Sequence, residues 1–166
     1  MAFVIRPEIP NDLIDINRVT AIAFREAPYT NHREQLIIHA LRNAGVLSLS
    51  LVAEKDGEIV GHIAVSPVTI DGGSCDWYGL GPISVLPANQ RQGIGSQLIR
   101  RVLSALQKSN AGGCVVLGEP DYYCRFGFKP IEGLVLLDIP AEYFQAILFG
   151  DAYPRGIVTY HKSFSA

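Results

Sequence analysis

The stretch NQRQGIGSQLIRR, residues 89–101, places two glycines one residue apart at the head of an amphipathic run. Glycine weakens a helix start unless the backbone there needs room or unusual angles. Gly93 and Gly95 therefore point to something that approaches the main chain closely. Consecutive N–H groups converging at a helix N-terminus make an anion site. From Arg91 through Gln92, Gly93, Ile94 and Gly95 to Ser96 the backbone offers several such donors. The missing Cβ atoms leave space for a phosphate, and Arg91 adds positive charge at the rim. Two common phosphate loops do not fit. The dinucleotide fingerprint needs a third glycine three residues after Gly95, and the P-loop needs Gly-Lys-Ser/Thr beginning five residues after its first glycine; Leu98-Ile99 stands there. The bland alternative is a tight turn that only opens a helix.

Other reactive residue types are scattered. His32, His39, His62 and His161 show no metal-ligand spacing, and His39 reads as a helix-surface residue. No metal is expected. Cys75, Cys114 and Cys124 are odd in number and too widely spaced for a Cys-x-x-Cys pair. They read as reduced thiols, the habit of cytosolic proteins.

The elements around the loop follow from periodicity and punctuation. AFVIRPE reads as a strand stopped by Pro7 and Pro10. Asn11 or Asp12 caps a helix with Leu13, Ile16, Val19, Ile22 and Ala23 at helical spacing, broken by Pro28. A second helix runs from about Asn31 to Ala44, stopped by Gly45. Two apolar runs joined at Asp56-Gly57 make a hairpin. WYGLGPISVLP is a strand interrupted by Gly79, Gly81 and Pro82, which suggests a bulge or splay. A helix from about Gly95 to Ser109 leads to CVVLG, a buried strand, so the connection is a parallel crossover. DYYCRFGF reads as a short helix, LVLLDIP as a strand, AEYFQAILFG as a helix opened by Pro140, and GIVTYHKSF as a last strand. The sum is one α/β domain over residues 1–166, with a mixed sheet and no repeat or linker.

The totals agree. The chain has 166 residues, 48% of them apolar and 18% charged, which fits a compact domain with a real core. A formal net charge of −2 gives no global field for nucleic acid or an anionic membrane, so neither is an expected partner. With no signal-like N-terminus and no membrane-spanning run, the sequence reads as cytoplasmic.

The segment PISVLPANQRQGIGSQLI resembles the signature of the GNAT superfamily of N-acetyltransferases, an apolar strand followed by Gln/Arg-x-x-Gly-x-Gly/Ala and a helix. The matching positions are Gln90, Gly93 and Gly95. A second block, GEPDYYCRFGFKP, resembles the superfamily's closing motif, with Tyr123 four residues before Gly127-Phe128 and Tyr122 beside it. Tyr-Tyr-x-Arg-Phe-Gly-Phe is similar to a bacterial branch of acetyltransferases whose substrates are mostly unassigned. The resemblance implies the GNAT fold: a central mixed, mostly antiparallel sheet, splayed at the cofactor cleft, with flanking helices. It implies acetyl-coenzyme A as cosubstrate, its pyrophosphate on the glycine loop and its pantetheine arm paired with backbone of Ile83, Ser84 and Val85.

Acyl transfer to an amine needs a neutral nucleophile, an oxyanion site and a proton for the leaving thiolate. The resemblance makes Tyr123 the general acid and a backbone N–H of Ile83–Val85 the oxyanion donor. Packing is the competing role for Tyr123. Direct attack in a ternary complex needs no covalent intermediate; Cys124 has no histidine partner in sequence and reads as a packing residue. Glu119 is the candidate base, with Glu26, Asp71 and Asp76 as rivals. Arg125 either meets a coenzyme phosphate or braces the Phe126–Phe128 turn. The acceptor, a small-molecule or peptide amine, is not specified by FREAPYTNHRE or FGDAYPRG, and a homodimer is compatible with the reading. The rival from another class is a non-catalytic acyl-coenzyme A-binding sensor, which would keep the loop and not need Tyr123.

Overall fold

The structure is a computed structural model that describes residues 2–25, 27, 30 and 32–166. Glu26, Pro28, Tyr29 and Asn31, which figure in the sequence reading, lie outside the described residues. The elements run β1 (Val4–Pro7), α1 (Leu13–Phe24), α2 (Glu34–Asn43), β2 (Leu49–Lys55), β3 (Glu58–Ile70) and β4 (Gly73–Val85), then α3 (Ile94–Lys108), β5 (Gly113–Leu117), α4 (Pro120–Tyr123), β6 (Leu134–Val135), β7 (Phe144–Leu148) and β8 (Gly156–Tyr160). The strands form one mixed sheet ordered β1-β2-β3-β4-β5-β7, with β8 pairing β3 and β6. β4 and β5 are parallel, as the crossover through α3 requires, while β1–β2, β2–β3, β3–β8 and β5–β7 are antiparallel.

The chain divides into two compact units. The first comprises Met1–Val65, Gly81–Val102 and Lys162–Ala166. Its core packs Ile16 and Val19 of α1 and Ile38 of α2 against Val52, Ile59 and Ala64 of the β2–β3 hairpin. The hairpin turns at Asp56 and Gly57, both at positive φ (53° and 79°), which is the geometry that an Asp-Gly pair favours. Ile94, Leu98, Ile99 and Val102 are all buried, so the amphipathic run headed by the two glycines does set the inward face of α3.

The second unit comprises Ser66–Leu80 and Leu103–His161. Its core gathers Val68, Trp77, Val115, Leu134, Phe144, Ala146 and Val158. Here three readings need correction. AEYFQAILFG is not a helix: Ala141–Tyr143 form a single 3-10 turn and Phe144–Leu148 pair antiparallel with β5, Leu117 opposite Phe144 and Gly113 opposite Leu148. The free edge of β5 presents unpaired backbone groups, and satisfying them outweighs a local helix preference. In LVLLDIP only Leu134–Val135 are strand, and the last strand stops at Tyr160, ahead of a 3-10 turn over Lys162–Ser165.

β4 pairs β5 at Trp77–Gly79, opposite Gly113–Val115. Gly79 sits in this regular ladder and is not a bulge. A Cβ there would lie 2.4 Å from the Tyr160 ring, so the residue makes room for that tyrosine. Gly81, at φ 128°, is where the strand departs from regular β geometry, and its peptide bond to Pro82 is cis. Gly113 is tighter still: a Cβ would lie 2.3 Å from Trp77 Cη2 and 2.5 Å from the Ile147 carbonyl oxygen. Backbone cannot yield as a side chain can. Gly113→Ala should therefore destabilise the protein by about 2–3 kcal/mol. Urea unfolding of the variant measures it, and an unchanged midpoint would show that the β5–β7 ladder accommodates the methyl group.

Candidate active site

The glycine loop leads directly into α3. The first α-helical bond at this end runs from Gln97 N to Gly93 O at 3.0 Å. The N–H groups of Ile94, Gly95 and Ser96 thus precede the ladder and have no acceptor within the helix. The chain reaches this point through two left-handed residues, Arg91 at φ 65° and Gly93 at φ 86°. A Cβ on Gly93 would meet nothing within 4 Å. Backbone angle, not crowding by the protein, is what calls for glycine here, and the space before the loop is open. Arg91, Gln92 and Gly93 are exposed, while the Ile94 side chain is buried and pins the first turn.

The end of β4 is tied to the same loop. Gln90 Nε2 donates to Val85 O at 3.2 Å, so this side chain serves the strand. Ser84 is buried with Oγ 3.3 Å from Thr20 Oγ1 of α1, while Ile83 and Val85 are half-buried. One residue near the loop escaped the sequence reading. Lys55, the last residue of β2, is buried, and its Nζ donates to Gln92 Oε1 at 2.8 Å. No motif spacing could reveal it, because it lies beside a hairpin turn far along the chain.

In the second unit the structure gathers Glu119, Tyr122, Tyr123 and Arg125 on the turn after β5. α4 is a single turn whose opening is set by Pro120, and the N–H groups of Tyr122 and Tyr123 both reach Glu119 O. Tyr123 is 9% exposed. Its ring stands edge-on to Tyr122 (centroids 5.0 Å apart) and to Phe128 (5.9 Å). The hydroxyl has no hydrogen-bond partner among the described residues. Burial, reinforced by Tyr122, pushes the phenol up to about 12, so it holds its proton throughout the neutral range. A protonated, unengaged phenol can donate to a ligand.

Glu119 is exposed and caps α4, two residues beyond the end of β5, so its carboxylate does not project from a strand. Among its rivals, Asp71 accepts a bond from Ile157 N at 2.8 Å and serves the β8 turn, while Asp76 is exposed on β4. Arg125 stacks on Tyr122, its guanidinium 4.5 Å from the ring centroid, and its Nε donates to Tyr122 O at 3.3 Å. Cys124 is exposed, not a buried packing residue, and Cys114 is the fully buried thiol.

His62 is buried, with Nε2 2.8 Å from Ser50 Oγ; Ser50 Oγ in turn donates to Glu8, which pairs with Arg42 at 2.7 Å. Burial pushes its pKa down to about 4, so the imidazole is neutral at physiological pH. This chain of contacts joins β3, β2 and α2. Among the described residues no cluster of three or more His, Cys, Asp or Glu could hold a metal, and no helix is long and apolar enough to cross a membrane.

Comparison with known proteins places these features in company. Residues 47–130 match the acetyltransferase (GNAT) domain profile. The chain is 36% identical over 126 residues, 75% of its length and 72% of the relative's, to the uncharacterized N-acetyltransferase YhbS of Escherichia coli K12. A crystal structure of a GNAT family acetyltransferase from Brucella melitensis, in complex with acetyl-CoA, is similar at 50% identity and TM-score 0.88, covering 98% of each chain. The crystal structure of YhbS in complex with CoA matches at 31% identity and TM-score 0.88, covering 99% of this chain and 92% of that one.

Proposed function

Because this chain belongs to the GNAT family of acetyltransferases, we propose that it carries the acetyl group of acetyl-coenzyme A to a primary amine by direct attack in a ternary complex. The two similar structures with acetyl-CoA and CoA support the choice of cosubstrate. In this reading residues 1–166 act as a single cytoplasmic N-acetyltransferase domain on a small-molecule or peptide amine, without nucleic acid or membrane, and a homodimer is compatible with it.

The N–H groups from Arg91 to Ser96 receive the diphosphate, and the backbone of Ile83–Val85 pairs with the pantetheine arm and holds the developing oxyanion. The amine nitrogen bonds to the thioester carbonyl carbon; as the tetrahedral adduct collapses, the carbon–sulfur bond breaks and Tyr123 gives its phenolic proton to the thiolate. Glu119 takes the proton of the attacking nitrogen through water. Arg125 fixes the turn that carries Tyr123 and Glu119. The observation that carries this reading is Tyr123: a buried phenol that keeps its proton and has no partner among the described residues. A module that only bound the coenzyme would have no use for it.

A melting scan with two ligands tests the class of cosubstrate. Acetyl-coenzyme A at about 100 times its dissociation constant should stabilise the fold by about 2.7 kcal/mol. For a chain of this size that raises Tm by about 5–10 °C. NAD at the same concentration should do much less, because its diphosphate lacks a pantetheine arm for Ile83–Val85. An equal or larger shift with NAD would overturn the coenzyme A reading.

A further inference from the structure

We propose that Lys55 is a phosphate-binding residue whose ammonium pairs with the diphosphate of a coenzyme held on the loop from Arg91 to Ser96. The proposal rests on the coenzyme reading above and adds to it a residue outside both sequence motifs. Lys55 is 8% exposed, among the most buried charged side chains of the protein. Buried charges are normally paired, because taking an ammonium out of water is costly. Yet the only bond that Lys55 makes among the described residues is to a neutral amide oxygen, Gln92 Oε1 at 2.8 Å.

The nearby acids are engaged or turned to solvent. Glu54, its neighbour in sequence, pairs with Arg6 at 2.9 Å. Glu58, its cross-strand partner in the hairpin, is exposed. The loop itself, QRQGIGSQ over residues 90–97, contains no acid at all. A lysine that is itself 8% exposed therefore bonds to a loop whose leading N–H groups also lack acceptors within the helix. Both features concentrate positive potential at one place. A diphosphate supplies the missing counter-charge, and a lysine meets it as a point charge at the end of a flexible stem. The hairpin turn at Asp56-Gly57 fixes where that stem begins.

Calorimetry with CoA and with dephospho-CoA, which lacks the 3′-phosphate, tests this on the wild type, Lys55→Gln and Lys55→Arg. Lys55→Gln removes the charge and keeps a hydrogen-bond donor on a stem one bond shorter. It should weaken both ligands by about 10- to 100-fold, and Lys55→Arg should recover most of that loss. Should Lys55→Gln not fold, as judged by circular dichroism, Lys55→Met replaces it with the same expected loss. Near-wild-type binding by the uncharged variant would show that Lys55 only buttresses Gln92, and would overturn the proposal. A loss seen with CoA but not with dephospho-CoA would overturn the diphosphate assignment in favour of the 3′-phosphate. Failure of the wild type to bind either ligand would instead remove the coenzyme reading itself, an outcome distinct from a failure at Lys55.

Discussion

Tyr123→Phe should lower kcat by about 100-fold or more while leaving coenzyme affinity nearly unchanged. The substitution keeps the ring that stands edge-on to Tyr122 and Phe128 and removes only the proton donor. No acceptor among the described residues is orphaned by the change, so the fold should lose little stability. The size of the effect follows from what the proton does. A thiolate leaving without a proton must carry full negative charge away from the tetrahedral carbon, and water is a poorer, less fixed donor than a placed phenol. Because burial holds the free phenol protonated up to about pH 12, the wild-type acid is fully loaded at any working pH. The mutational loss should then be constant across the neutral range, not confined to one limb of a pH profile. Thiol release with an active amine found by screening measures kcat, and calorimetry measures affinity. Unchanged turnover would make Tyr123 a packing residue and leave protonation of the sulfur to water or another group.

The parts of this arrangement that were legible in the sequence are those whose cause is local. Asp56-Gly57 specifies a turn because its backbone angles suit those two residues and few others. The stripe from Ile94 to Leu106 specifies α3, since helical periodicity alone brings those side chains to one face. Gly93 announced an unusual backbone, and its φ of 86° is that feature. The sequence also pointed to a ligand approaching the main chain here, and no protein atom lies within 4 Å of where a Gly93 Cβ would stand.

Long-range causes were not legible. AEYFQAILFG contains Ala, Gln, Leu and Glu in a helical-looking order. It becomes a strand because the edge of β5 needs a partner, and β5 lies a whole motif earlier in the chain. Gly79 reads as a strand defect until Tyr160 is seen to fill the place of its missing side chain. Lys55 looks like an ordinary hairpin lysine, and only its burial against Gln92 marks it out. Glu119 could be found as a carboxylate near the closing motif, but its position beyond the end of β5 depends on where Pro120 starts α4. In each case the deciding contact joins residues whose separation carries no periodic signal.

Gly93→Asp should abolish measurable coenzyme binding while the protein still folds. Aspartate tolerates a left-handed conformation better than most residues, so the φ of 86° should cost about 1 kcal/mol. Its Cβ would meet no protein atom within 4 Å, so no packing is disturbed. The carboxylate instead occupies the open space before the N–H groups of Ile94, Gly95 and Ser96. There it acts twice against a diphosphate, by filling the volume and by repelling the charge, and it is itself welcome at a helix N-terminus. Gly93→Asn separates the two effects, since asparagine has nearly the same shape and the same tolerance of positive φ but no charge. Asparagine should reduce affinity, and aspartate should reduce it further, by at least about tenfold beyond asparagine. Calorimetry on both variants, with thermal melts to show that each is folded, decides the matter. Near-native affinity in the aspartate variant would mean that the phosphates do not sit on this loop, and Arg91 to Ser96 would then be a turn that starts α3 and nothing more.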